Sequence, residues 1–169
     1  MSLARSKRAG KRVEATVVQR LSELRYVPDS EAEHYDAETT TLLCPSRDLP
    51  FAGICLVERG LPIEIKSAMV VYGDRQRRGR FLIRRTQHEA LLQDGGVYLF
   101  AVCEPTPDRD LLALKIVPAS LVDEFRFSWI RRETRAHYAQ FAWSRVFAPS
   151  EIEADGECEG EAEKRGERP

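Results

Sequence analysis

Ile63-Glu64-Ile65-Lys66 is the stretch whose residue types and spacing could do chemistry. Side chains alternate across a strand, so Glu64 and Lys66 share one face while Ile63 and Ile65 point to a core. An acid and an ammonium group then stand side by side on a strand built for burial on its other face. Lysine is the rarer cation here. Of 26 Lys and Arg residues only five are lysine: Lys7, Lys11, Lys66, Lys115 and Lys164. Where any positive charge serves, the chain uses arginine, so a lysine beside a carboxylate points to a need for a compact ammonium instead of a planar fork. Taken alone, the pair also describes a surface ion pair on a half-exposed strand. Its surroundings decide.

Those surroundings are cationic. Arg5, Lys7, Arg8, Lys11 and Arg12 precede the first acid, Glu14, and Arg75, Arg77, Arg78, Arg80, Arg84 and Arg85 follow one another without an intervening acid. Arginines this close repel unless anions share them, and a polyanion is the natural partner. Contacts of this kind to a phosphate backbone give affinity and salt dependence with little sequence information. From Glu151 onward the charge reverses. Eight acids face only Lys164, Arg165 and Arg168, leaving a body of 23 basic and 19 acidic residues. This tail, 151–169, is expected to be disordered and could compete for the basic surface.

The elements that must position these groups follow from periodicity. Val13, Val17, Leu21 and Leu24 make a helical stripe over 6–24, bordered by Glu14. Strands are expected at 39–44, 51–57 and 61–69, the last two joined as a hairpin through the Gly60 turn. Thr86-Gln87-His88-Glu89 reads as a capping box opening a short helix, with His88 a capping or surface residue. Val97 to Val102 is a buried strand paired with 111–117, a helix runs from Ser120 to about Trp129, and Tyr138–Phe147 closes the chain. Phe141, Trp143, Phe147 and Trp129 are expected in a core or subunit interface, and the cysteines as small buried apolar groups. The fold class is α+β, a mixed central sheet flanked by helices, in one domain over 1–150. No apolar run spans a membrane, no secretory signal begins the chain, and Cys and His spacing makes no zinc site, so a cytoplasmic protein is expected.

A helix with Glu14 on its edge, a strand carrying Glu-Ile-Lys, a basic loop, a helix and a buried strand in this order resemble the PD-(D/E)xK nuclease superfamily. Gly10-Lys11-Arg12-Val13-Glu14 is similar to the start of the first helix of archaeal Holliday-junction resolvases. Arg78-Gly79-Arg80-Phe81-Leu82-Ile83, Gln87-His88-Glu89 and Tyr98 to Val102 resemble small superfamily proteins of halophilic archaea and their viruses. The resemblance covers residues 7 to 103. It implies a restriction-endonuclease-like core and hydrolysis of DNA phosphodiesters with Mg²⁺ or Mn²⁺ held by hard carboxylate oxygens. Glu64 would be a metal ligand beside the Ile65 carbonyl, Lys66 would hold or help activate the water, and Glu14 would complete the metal shell. Gln87 or His88 could contact phosphate from the positive end of its helix.

One position departs from the family pattern, which places an aspartate near the start of the strand before Glu-x-Lys. Counting back through Gly60 reaches Gly53 or Ile54, and no acid stands there; the nearest is Asp48, in Ser46-Arg47-Asp48-Leu49-Pro50. Asp48 is either the second metal ligand or a turn residue beside proline. The resulting expectation is a metal-dependent DNA endonuclease acting on junction or branched DNA, as a homodimer joined through Tyr138–Phe147. The alternatives are a catalytically inactive nucleic-acid-binding protein on the same fold, or an interaction protein whose basic face meets an acidic partner.

Overall fold

The computed structural model describes residues 3–46, 48–133 and 135–153. In chain order the elements are α1 (Leu3–Arg20), β1 (Leu24–Tyr26), β2 (Ala37–Thr39), β3 (Pro62–Met69), β4 (Val71–Tyr72), β5 (Arg77–Arg78) and β6 (Arg80–Arg84). There follow α2 (Arg85–Gln93), β7 (Val97–Cys103), β8 (Leu111–Pro118), α3 (Ala119–Asp123), β9 (Ile130–Arg132), β10 (Arg135–Ala142) and α4 (Pro149–Glu153). The central sheet has the order β1-β2-β3-β7-β8. β3 and β7 are parallel, from Ile63↔Val97 to Met69↔Cys103, and the other pairs are antiparallel. The α+β class with a mixed central sheet is therefore the observed one.

β7 is buried along its whole length, as a central strand covered on both faces must be. Its alternation divides the molecule into two cores. Val97, Leu99, Ala101 and Cys103 join Ile63, Ile65, the α1 residues Val13 and Val17, and Leu21 just after the helix. Tyr98, Phe100 and Val102 join Ala68 and a layer built from β6, α2 and β10. That layer includes a second sheet, β6-β10-β9. β6 shows the two-residue period plainly, with Phe81 and Ile83 inside and Arg80, Leu82 and Arg84 outside.

Several expected elements differ. The first helix stops at Arg20, and Leu24, read as its last stripe residue, is instead the buried residue of β1. The expected hairpin of 51–57 with 61–69 does not form: β3 takes β2 as its antiparallel neighbour through Ala37↔Ile63 and Glu38↔Pro62. Residues 40–46 and 48–61 are an irregular excursion with single bridges, Leu43↔Val57 and Phe51↔Leu114. The capping box is absent, because β6 runs directly into α2 and Arg84 occupies the cap position without a side-chain bond. The helix from Ser120 ends at Asp123. Tyr138–Phe147 does not offer an apolar interface: Phe141, Trp143, Val146 and Phe147 are buried in the chain's own second core, with Trp129 packed against it. Cys103 is buried, but Cys44 is exposed. α4 crosses the expected boundary at 150, where Lys115 Nζ donates to Glu151 at 3.0 Å, and the tail from 154 lies outside the described residues. Among the described residues no helix is long and apolar enough to cross a membrane.

Candidate active site at the open edge of β3

β2 pairs with β3 only as far as Ile63, so the β2-facing edge of β3 is released from Glu64 onward. Asp36 stands where the two strands part. Its amide donates to Ile63 O at 2.9 Å, its carbonyl accepts from Val27 N at 2.9 Å, and its Oδ2 accepts from Ile65 N at 2.8 Å. The carboxylate thus replaces the next rung of the ladder and satisfies an amide that would otherwise lack a partner. N–H and C=O of one strand residue point the same way, so the Ile65 carbonyl is directed to the side where Asp36 sits.

Glu64 and Lys66 take the face opposite Ile63 and Ile65, and Lys66 Nζ donates to Glu64 Oε1. Glu64 is only 5% exposed. Burial, with the Asp36 carboxyl lying against it, pushes its pKa up to about 8 despite Lys66. Glu14, reaching from α1, is raised to about 7 by burial and then by Asp36, with Lys66 and Lys11 opposing. Glu14, Asp36 and Glu64 thus face one ammonium, and their crowding together with burial holds the two glutamates partly protonated at neutral pH.

The donor set suits a small hard cation. Among the described residues no three His, Cys, Asp or Glu side chains gather around one point. Asp36, Glu64 and the Ile65 carbonyl would supply two carboxylates and one neutral oxygen, and water would fill the remaining positions. Mg²⁺ is usually held in this way, keeping several of its waters.

The loop before Asp36 is fastened to α2. Gln87 Nε2 donates to Glu33 O at 2.6 Å, and His34 Nε2 meets Asp94 Oδ2 at 2.6 Å. Gln87, expected to touch phosphate, is thus occupied in positioning the acidic loop. His88 is not a surface residue. It is buried, with Nδ1 2.9 Å from the Tyr98 hydroxyl and Nε2 3.1 Å from Asp123 Oδ1. A carboxylate only accepts, so Nε2 donates to Asp123, and Nδ1 and the Tyr98 hydroxyl share one hydrogen bond. Asp48 lies in an exposed turn, its amide bonded to Ser46 Oγ at 3.0 Å and its carbonyl to Arg20 at 3.1 Å. The carboxylate that meets Glu64 is Asp36.

Arg75, Arg77, Arg78, Arg80, Arg84 and Arg85 are all exposed. The hairpin β4–β5 is pinned to the end of β3 at Gly79, where an added Cβ would lie 1.8 Å from Met69 O. This contact sets the arginine hairpin three residues beyond Lys66. Arg78 lies 5.5 Å from the Trp143 ring centroid, and Arg85 pairs with Glu89 at 2.8 Å. Among the described residues Arg75, Arg77, Arg80 and Arg84 form no ion pair.

Asp36 was legible in one respect: it is the acid just before the strand that pairs with Glu-x-Lys. Finding it required knowing that β2, not 51–57, is that strand. No curated protein and no solved structure matches the chain. The model of the PD-(D/E)XK nuclease superfamily domain matches residues 1–148. With that match and an acid–acid–lysine cluster at the edge of its sheet, the chain belongs to the PD-(D/E)XK nuclease superfamily.

Proposed function

We propose that the protein is a divalent-metal-dependent DNA endonuclease. The observation that carries this reading is the convergence of Asp36, Glu64, the Ile65 carbonyl and Lys66 on the open edge of β3, beside a row of unpaired arginines. Mg²⁺ or Mn²⁺ held by Asp36 and Glu64 would supply charge neutralisation at the phosphate and at the leaving oxygen. Lys66, a compact donor with three protons, would orient the attacking water and oppose charge building on the phosphate. Glu14, held close to neutrality by its surroundings, is suited to take a proton from that water, as a group with a pKa of about 7 should be. Arg75, Arg77, Arg80 and Arg84 would hold the backbone in register without reading its sequence.

Branched or junction DNA is the finer substrate reading, supported by the likeness of Gly10-Lys11-Arg12-Val13-Glu14 to junction resolvases. Such an enzyme would act as a homodimer, since two matched cuts need two sites related by a two-fold axis. The test is nicking of plasmid and four-way-junction DNA by the purified protein with Mg²⁺ or Mn²⁺, beside Lys66→Ala. Expected is metal-dependent cleavage by the wild type, lost in Lys66→Ala with DNA retention unchanged. Wild type and variant equally inert, both still retaining DNA, would establish a non-catalytic DNA-binding protein instead. Sedimentation with and without junction DNA reads the dimer.

A further inference from the structure

Beyond Lys66 the open edge of β3 does not face bare solvent. It borders a cavity of about 340 Å³, walled on one side by α1 and on the other by the arginine hairpin and the end of β10. Ala9 of α1, Ser67 and Met69 of β3, Tyr72 of β4, Arg80 of β6 and Gln140 of β10 line it. Its two walls are the two cationic segments of the chain, with Lys7, Arg8 and Lys11 exposed on α1 and Arg77, Arg78 and Arg80 exposed opposite. A strand drawn between these walls by its phosphates has its bases directed at what lies between them.

The lining answers to the chemistry of a base. Tyr72 offers an aromatic face at 38% exposure, with Met69 and Ala9 supplying apolar contact. Gln140 carries both a donor and an acceptor amide group, and the Ser67 hydroxyl and Arg80 guanidinium add further polar edges. Among the described residues Ser67, Tyr72, Arg80 and Gln140 make no side-chain hydrogen bond or ion pair with the rest of the chain. The cavity has room for one nucleobase. Unpaired bases bind by this combination of a π-face and edge-directed hydrogen bonds.

We infer that this cavity receives one unpaired base of the DNA strand, next to the phosphate held at Asp36, Glu64 and Lys66. The inference rests on the DNA-nuclease reading and narrows its substrate to DNA with an unpaired nucleotide beside the cut. Gly10, which lines the cavity, lies one helical turn before Glu14 on the same face of α1, so base cavity and phosphate site adjoin along that helix.

The test uses the full chain with two otherwise identical duplexes, one fully paired and one carrying a single bulged 2-aminopurine. Anisotropy in EDTA gives affinities, 2-aminopurine fluorescence reports the environment of the bulged base, and added Mg²⁺ gives cleavage. Wild type is expected to bind the bulged DNA at least ~5-fold tighter, the low end of one base–aromatic stack, with a change in 2-aminopurine emission. Ala9→Phe, which fills the cavity from a half-buried position on α1, should abolish both signals and leave affinity for paired duplex intact. Gln140→Ala, on the exposed face of β10, should reduce the preference without filling the space. Equal binding of the two duplexes by wild type, or a preference that survives Ala9→Phe, overturns the inference. A bulge preference lost in Ala9→Phe, with neither DNA cut under Mg²⁺ or Mn²⁺, sinks the nuclease reading while the base site stands.

Discussion

Replacing Glu64 by glutamine tests the electrostatic reasoning without any substrate. The side chain keeps its shape and its ability to accept from Lys66, and it loses the capacity to ionise. In the metal-free fold the Glu64 pKa lies at about 8, against about 4.3 for an unfolded chain. A raised carboxyl pKa contributes stability that is present in full below the unfolded value and is lost as pH rises through the folded one. Between pH 5 and pH 8.5 the wild type should therefore lose on the order of 4 kcal/mol from this group, at 1.36 kcal/mol for each pH unit in which only the unfolded chain has released the proton. That is a large share of a domain stability of about 5–15 kcal/mol. Urea denaturation in EDTA at pH 5, 7 and 8.5 is the assay. Wild type is expected to weaken steeply over this range, while Glu64→Gln weakens much less and overtakes it at pH 8.5. Mg²⁺ should restore wild type at pH 8.5 and leave the variant unmoved, because the ion favours the ionised carboxylate. Parallel pH profiles for the two proteins would refute the account of Glu64 as a buried acid short of positive charge.

Asp36→Asn preserves an acceptor for Ile65 N–H but removes a charge, so it should cut metal-dependent cleavage by about 10²-fold or more in a plasmid-nicking assay; Asp48→Asn, in its exposed turn, should leave cleavage within about two-fold. Gly79→Ala forces its Cβ into the Met69 carbonyl and should cost more than ~2 kcal/mol by urea denaturation; an unchanged midpoint would mean the hairpin is not held there. Arg77→Ala should lower the slope of log affinity against log salt by about 0.9 for paired DNA, the value for one phosphate contact; an unaltered slope would take Arg77 out of the interface. His88→Ala leaves the Tyr98 hydroxyl buried without a partner and should destabilise by about 2–4 kcal/mol in the same denaturation assay, with no effect on metal-independent DNA retention at low temperature.

What could be read in the sequence tracks how local its cause is. The Glu64–Lys66 pair follows from the two-residue period of a strand, and the full burial of β7 follows from its unbroken apolar run. Both survive translation into structure because each depends on neighbours within a few residues. The identity of the second acid depends on which strand lies beside β3, a contact between residues 36–39 and 61–64. A Gly60 turn after an apolar segment favours the nearer partner, and the backbone overrules it. Thr39 explains part of the reason: its hydroxyl donates to Glu58 O and accepts from Leu61 N at 3.0 Å, closing the excursion onto β2. Residues 51–57 are left with bridges only at Phe51 and Val57, and Ile54 is 89% exposed. His88 misled for a similar reason, since the rings packed against it, Phe127 and Trp129, come from a distant part of the chain.

The burial of Glu64 and the network behind it belong to one design problem. Tyr98 stands opposite Glu64 in the parallel ladder and is fully buried. Its ring dries the carboxylate, yet its hydroxyl is bonded to His88 Nδ1, and His88 Nε2 is bonded to Asp123. The one buried hydroxyl beside Glu64 is thus committed elsewhere, and its own pKa is raised by burial and by Glu64. A tyrosine donating to Glu64 would have lowered its pKa and met its charge from within the chain. With that donor turned away, Lys66 and the Ile65–Asp36 bond are what remain, and three acids still outnumber one ammonium. A site arranged in this way stays partly protonated when empty and becomes fully charged only as a cation enters. Metal affinity should accordingly climb between pH 6 and pH 8, as Glu14 and then Glu64 release their protons, and calorimetry in two buffers of different ionisation heat would count them. Binding with no proton release at pH 6.5 would show that the acids were already ionised and that the burial argument fails.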